Sequence, residues 1–251
     1  MSRDLEFAHA LADAADAITL ARFRALDLRV EEKPDLSPVS DADRAAEEAV
    51  RSLVAASGRG EEVFGEEGGG SPSVAGGARW IVDPIDGTKS YVRGSPVWAT
   101  MVALERDGVV CCSVVSAPAL RRRWWAERGG GAFVDGSAAR VSAVARVADA
   151  AVSITDPGWR RPRTWVSLAE QAWSARCFPD FWQYCLVAEG VVDVACDIAM
   201  ALWDYAPVRL IVEEAGGRCT TWSGGEPAAG ESFVASNGAL HDEALGVLSG
   251  A

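Results

Sequence analysis

The sequence predicts an α+β fold, a layered sandwich in which an antiparallel-rich N-terminal half joins a smaller half of alternating helices and strands. Three observations carry this. Two Ala-rich helical segments open the chain, strand-like runs separated by hairpin turns fill residues 80–134, and after about residue 146 helix and strand alternate. A chain of 251 residues can bury a substantial core. The expected halves are residues 1–145, with the antiparallel sheet, and residues 146–251.

Taken in order, Asp4 to Leu26 reads as the first helix and Asp41 to Ala56 as the second, with Ala45, Ala46, Ala49, Val50 and Leu53 as its apolar stripe. The run Lys33-Pro34-Asp35-Leu36-Ser37-Pro38 between them reads as a loop. Gly58 to Gly77 is rich in Gly and Ser and is expected to be exposed and mobile, apart from Val63-Phe64-Gly65-Glu66-Glu67. Strands are expected at Trp80 to Val82, Ala99 to Glu105, Val109 to Ala117, Arg123 to Ala126 and Ala132 to Val134, with hairpin turns at Arg106-Asp107-Gly108 and Arg128-Gly129-Gly130-Gly131. In the second half Phe181 to Ala188 reads as a helix stopped by Gly190, Val191 to Ala195 as a strand, and Asp204 to Ala215 as a helix ended by Gly216-Gly217. Strands at Arg218 to Trp222 and Phe233 to Ala235 and a helix at Ala239 to Leu248 complete the chain.

The composition removes several functions. A formal net charge of -12 disfavours nucleic acid, which is gripped mainly by Lys and Arg. It is also awkward for a phosphorylated ligand unless bound cations supply positive charge. No apolar run approaches a membrane span. The acidic start from Met1 to Ala17 lacks the features of a signal peptide, so a cytoplasmic protein is expected. The six cysteines form no paired CxxC zinc motif and are expected to be reduced thiols, mostly buried.

The chemistry centres on Trp80-Ile81-Val82-Asp83-Pro84-Ile85-Asp86-Gly87-Thr88. An apolar strand runs into Asp83, Pro84 is expected to stop its pairing, and Asp86-Gly87-Thr88 turns the chain towards a helix. Two carboxylates three residues apart on a rigid turn suit a hard cation, with the Ile85 carbonyl as a further oxygen. Amides of Gly87 and Thr88 at a helix start would face an anion. Short Asp-rich turns also serve simply as caps. Gly65-Glu66-Glu67 reads equally as a solvated acidic loop, Asp204 as an N-cap, and Asp43 as first-turn helix charge.

Together, Gly65-Glu66-Glu67, the Asp83-Pro84-Ile85-Asp86-Gly87-Thr88 run and the distant Trp203-Asp204 resemble the pattern of the inositol monophosphatase superfamily over nearly the whole chain. The resemblance implies the αβαβα sandwich of the inositol monophosphatase/fructose-1,6-bisphosphatase type, a magnesium-dependent hydrolysis of a small phosphate monoester, two to three Mg2+ per site, and a homodimer. It implies that Glu66, Asp83 and the Ile85 carbonyl hold one ion and that Asp83, Asp86 and Asp204 hold a second, with a weaker third near Glu66. Asp43 and Thr88 then orient the attacking water, Glu66 completes the catalytic set, and Gly87 and Thr88 bind phosphate.

Elimination points the same way. Only His9 and His241 are present, so a Ser-His-Asp triad, a histidine nucleophile and a His-rich zinc site lack parts. No Cys-x5-Arg loop and no nucleotide-binding Gly-x4-Gly-Lys-Ser/Thr loop occurs.

Within the superfamily the chain looks similar to the histidinol-phosphate phosphatases of actinobacteria, through Lys33-Pro34-Asp35-Leu36, Tyr91 to Ala99, Ala117-Pro118-Ala119-Leu120, Arg122 to Ala126 and Tyr184 to Gly190. That implies hydrolysis of L-histidinol phosphate in histidine biosynthesis, with inositol 1-phosphate or another small ester as the alternative. A non-catalytic phosphate-binding protein would be expected to have lost a ligand, and here the set is intact. Before the helix at Phe181 the chain has Pro179-Asp180 where inositol phosphatases usually have Gly-Ser or Gly-Thr, and Asp197 lies seven residues before Asp204. Asp180 and Asp197 are thus candidate partners for a cationic leaving group, or else loop and strand-end charges. Asp156 to Arg163 reads as a shortened segment.

Overall fold

The computed structural model of the chain describes residues 1–70, 77–155 and 162–250. Residues 71–76 of the Gly- and Ser-rich stretch and most of the Asp156 to Arg163 segment therefore lie outside the described residues. The chain runs α1 (Arg3–Arg22), a hairpin of β1 (Val30–Glu32) and β2 (Pro38–Ser40), α2 (Asp41–Ala56), β3 (Glu62–Gly65), β4 (Ala78–Asp86) and α3 (Thr88–Val92). The strands β5 (Ala99–Arg106), β6 (Val109–Ala117), β7 (Arg122–Glu127), β8 (Gly131–Val134) and β9 (Ser137–Ala138) follow. The second half holds β10 (Ala151–Ile154), α4 (Arg163–Gln171), β11 (Ser174–Arg176), α5 (Phe181–Ala188), β12 (Val194–Asp197), α6 (Leu202–Glu214), β13 (Arg218–Thr220), β14 (Phe233–Ser236) and α7 (His241–Leu248).

The larger sheet takes its strands in sequence order, β3 to β9, all antiparallel except the parallel pair β3–β4. The smaller sheet, ordered β11-β10-β12-β14-β13, is mixed. The two-residue side-chain period of a strand sorts the core into layers. Trp80, Val82, Val102 and Leu104 pack on α1 and α2, whereas their neighbours Ile81, Met101 and Ala103 join α5 and α6 on the other face. Ala195 and Ala235 of the smaller sheet close on that same middle helical layer, and Val194, Cys196 and Val234 face α4 and α7. Five layers result, αβαβα.

Several boundaries differ from the sequence reading, each for a physical reason. The first helix ends at Arg22 rather than Leu26, because Phe23 turns inward onto Tyr91 and Trp98. The Lys33 to Pro38 loop is the tip of a hairpin. Pro84 does not end its strand: the ladder resumes at Asp86, opposite Ala99, across a bulge. The strand expected at Val191 to Ala195 starts at Val194, since the glycine-terminated end of α5 uses the amides of Gly190, Val191 and Val192 on the carbonyls of Val187 and Leu186.

The α2 stripe is rotated from the expected one. Ala45 is exposed, while Asp43 and Glu47 join Ala46 and Val50 on the buried face. Asp204 is not the N-cap of α6 either; it stands inside the first turn and its carboxylate accepts the Ala201 N–H at 3.1 Å.

Candidate active site

The acidic residues converge where strand ends of the large sheet meet the N-termini of α2, α3 and α6. Ser40 caps α2, its hydroxyl accepting the Ala42 and Asp43 amides at 3.2 and 3.4 Å, while Asp43 Oδ2 accepts the Ser40 N–H at 2.8 Å. This reciprocal cap holds Asp43 buried and leaves its Oδ1 3.3 Å from the Thr88 hydroxyl. Gly87 precedes α3 at φ +84°, where a Cβ would stand 3.0 Å from Asp180 Oδ2 and 3.1 Å from the Val97 carbonyl, so glycine is required. The Thr88 hydroxyl donates to the Ile85 carbonyl at 3.0 Å, and the Ile85 N–H donates to Asp83 Oδ1 at 2.9 Å.

One carboxylate oxygen each from Asp83, Asp86 and Asp204 lies within 4.8 Å of the other two. These groups, with Glu66, Ile85, Gly87, Thr88 and Asp180, line one cavity of about 380 Å³. Burial, then Glu66 and the other carboxylates, pushes Asp83 well above the usual carboxylate range. Asp86 is raised by burial and by Asp180 and Asp204, and Asp204 by burial and Glu66, to about 7. Carboxylates that oppose one another's ionisation in a buried site call for a cation, and an all-oxygen set of this kind fits Mg2+.

Glu66 shares the cavity but stands outside that trio, its carboxylate 2.7 Å from Lys33 Nζ, which also meets Glu67 at 2.6 Å. Burial lowers the Lys33 ammonium pKa, but the two glutamates outweigh it and the net shift is upward.

The profile of the inositol monophosphatase family matches residues 1–249. Among curated proteins, a histidinol-phosphatase of Mycobacterium tuberculosis is 51% identical, with 96% of each chain covered. A histidinol-phosphatase of Streptomyces coelicolor is 46% identical over 98% of this chain and 97% of its own. An IMPase structure from Thermotoga maritima superposes with a TM-score of 0.91 at 29% identity, over 99% of this chain and 98% of that one.

The chain belongs to the inositol monophosphatase family.

In this family member a second, smaller cavity of about 180 Å³ adjoins the acidic trio, lined by Asp86, Asp180, Asp197, Asp204, Tyr184 and Met200 among others. Asp180 borders both cavities. It occupies φ +56°, ψ −138°, a region costly for any residue with a Cβ. Asp197 Oδ2 accepts from the Thr155 hydroxyl, the Gln183 amide and the Tyr184 hydroxyl at 2.9, 2.7 and 2.7 Å. Burial raises Asp197 to about 6 against those donors.

Sequence reasoning missed the groups that hold the site together. Glu47 accepts the Glu67 and Gly68 amides at 2.7 and 2.8 Å, and Arg51 bridges Glu47 to the Val63 and Gly69 carbonyls. The available signal was the i, i+4 spacing of Asp43 and Glu47 on one helix face. Trp203, on the cavity wall, packs on Phe64 two residues before Glu66. Neither histidine lines the cavity: His241 lies buried between Thr220 and Ser236, held down to about 4 by burial.

Proposed function

We propose that the chain hydrolyses L-histidinol phosphate to L-histidinol and phosphate, using magnesium. The carrying observation is the convergence of Asp83, Asp86 and Asp204 beside Asp180 on one cavity, which supports a cation site next to an anionic wall for the leaving group. The naming of relatives 51% and 46% identical as histidinol-phosphatases supports the substrate.

Asp83, Asp86 and Asp204 would hold one ion; Glu66, Asp83 and the Ile85 carbonyl would hold another once Glu66 exchanges its Lys33 contact, and Glu66 would also serve a third, weaker ion. When bound, Mg2+ offsets the charge of the phosphate and acidifies water at the site. Asp43, kept basic in a buried pocket, accepts the proton of the attacking water, while the Thr88 hydroxyl orients that water. Gly87 and Thr88 present the amides that bind the phosphate. The bond from phosphorus to the histidinol oxygen breaks as the bond to the water oxygen forms, the leaving oxygen takes up a proton from solvent water, and Asp43 returns its proton to solvent.

Asp180 faces the ammonium or imidazole of the alcohol. Asp197, its oxygens already occupied by Thr155, Gln183 and Tyr184, adds negative charge to the pocket wall. The described residues contain no helix long and apolar enough to cross a membrane. A cytoplasmic homodimer is part of the proposal, supported by six unpaired cysteines and by Trp173, 76% exposed beside the edge strand β11.

Phosphate release from L-histidinol phosphate, inositol 1-phosphate and fructose 1,6-bisphosphate tests the reading. The highest kcat/KM is expected for histidinol phosphate, and a preference for inositol 1-phosphate refutes it.

A further inference from the structure

We propose that Thr100 is a positioning residue whose hydroxyl pins the strand bulge that sets the spacing of Asp83 and Asp86; this rests on the metal-dependent reading above. Asp83 pairs with Met101 and Asp86 with Ala99, so Pro84 and Ile85 together oppose Thr100 alone. One extra residue in a ladder leaves backbone groups without their regular partners. Here the orphans are carbonyls, because Pro84 has no N–H and the Ile85 N–H goes to Asp83 Oδ1. Both are met by threonine: Thr88 donates to the Ile85 carbonyl and Thr100 to the Pro84 carbonyl, each at 3.0 Å.

Thr88 stands on the cavity wall. Thr100 is fully buried, is not among the residues that line the cavity, and reaches the acidic run through the Pro84 carbonyl. Its footing is polar, and within it Asp16 Oδ1 is buried without a hydrogen-bond partner. Ser116, directly across the ladder from Thr100, donates to Asp16 Oδ2 at 2.5 Å, and Arg123 binds the same Asp16 oxygen at 2.8 Å and the Ser116 hydroxyl at 2.9 Å. A carbonyl held from beneath cannot rotate without breaking this contact, and rotation of the Pro84 peptide would move both flanking carboxylates. Groups that orient metal ligands from behind typically govern about 10–100-fold in metal affinity.

The test is calorimetric titration of the full chain with Mn2+ alone, beside metal-free thermal melts. Thr100→Val keeps the side-chain shape and removes the donor; Thr100→Ser keeps the donor. The expected result is Mn2+ binding weakened about tenfold or more in Thr100→Val and restored to within about twofold in Thr100→Ser. Parental affinity in Thr100→Val, even with a lowered melting temperature, overturns the proposal, as does an equal loss in both variants. Should Thr100→Val fail to fold, Thr100→Ala against Thr100→Ser makes the same comparison, and equal affinities overturn it. A parent chain that binds no Mn2+ overturns the metal reading itself and this inference with it, so the two failures are told apart.

Discussion

Glu47 offers the clearest test of how the acidic turn carrying Glu66 is held. Its buried carboxylate accepts two consecutive backbone amides, from Glu67 and Gly68, and the Arg51 guanidinium. The fit is close: a Cβ on Gly65 or Gly68 would come within 2.4–2.6 Å of the Glu47 carboxylate group. Glu47→Gln preserves size but replaces one acceptor oxygen with a donor. One charge-assisted hydrogen bond is lost, about 1.5–3 kcal/mol, and a buried donor is left unpaired, about 1–3 kcal/mol. A total of about 2.5–6 kcal/mol is expected, or roughly 5–24 °C of melting temperature for a chain of this size. Because Glu66 sits in the same turn, the magnesium concentration for half-maximal activity should rise about 10–100-fold. Thermal melts with and without Mg2+, together with a magnesium titration of phosphate release, provide the assay. A melting temperature within about 2 °C of the parent refutes the clamp. A lowered melting temperature with unchanged magnesium dependence would show that the clamp holds the turn without serving Glu66.

The remaining predictions concern the carboxylates. Asp83→Asn should remain folded and lose more than about 100-fold in magnesium-dependent turnover, beyond the usual effect of an outer-shell change; activity near the parent level refutes its role as a ligand. Asp180→Asn removes one charge-assisted contact of about 1.5–3 kcal/mol, so kcat/KM for histidinol phosphate should fall roughly 10–150-fold while p-nitrophenyl phosphate is spared. Equal losses on both substrates would remove Asp180 from substrate recognition. Metal-free stability should respond to Asp204. Burial first, and then Glu66, raises its pKa to about 7 from the ordinary 3.8. A carboxyl raised on folding contributes its stability below the unfolded value and loses it as pH rises through the folded one. Measured in EDTA, the parent's melting temperature should therefore decline relative to Asp204→Asn between about pH 4 and pH 7, and excess Mg2+ should reverse the decline. A difference independent of pH would show that Asp204 does not meet the other carboxylates in the folded state.

The parts of the fold that were legible in the sequence were those governed by local periodicity. The Val109–Ala117 strand and the Asp41–Ala56 helix coincide with their expected bounds, since a Val-rich apolar run bounded by a glycine turn and a Ser-initiated helix each announce themselves within a few residues. The motif residues were legible as a set, and the structure brings one carboxylate oxygen each of Asp83, Asp86 and Asp204 within 4.8 Å of the others. What failed is informative because the failures fall beside the site. The α2 stripe was drawn through Ala45 and Ala49 because a hydrophobic pattern assigns carboxylates to water, yet Asp43 and Glu47 are buried, one beside Thr88 and the other under the Glu66 turn. Pro84 was expected to end a strand, yet the strand continues through a bulge whose freed carbonyls are met by Thr88 and Thr100. For Asp204 the cap alternative is the one set aside: its place inside the first turn of α6 brings its carboxylate to Asp83 and Asp86. The stripe error follows from treating a carboxylate by its local preference, when its position is set by the groups it holds in other elements. Buried acids cost stability unless something compensates them. A helix face that is apolar only if two carboxylates are counted with it therefore points to what those carboxylates hold: an amide turn for Glu47, and for Asp43 the hydroxyl of Thr88.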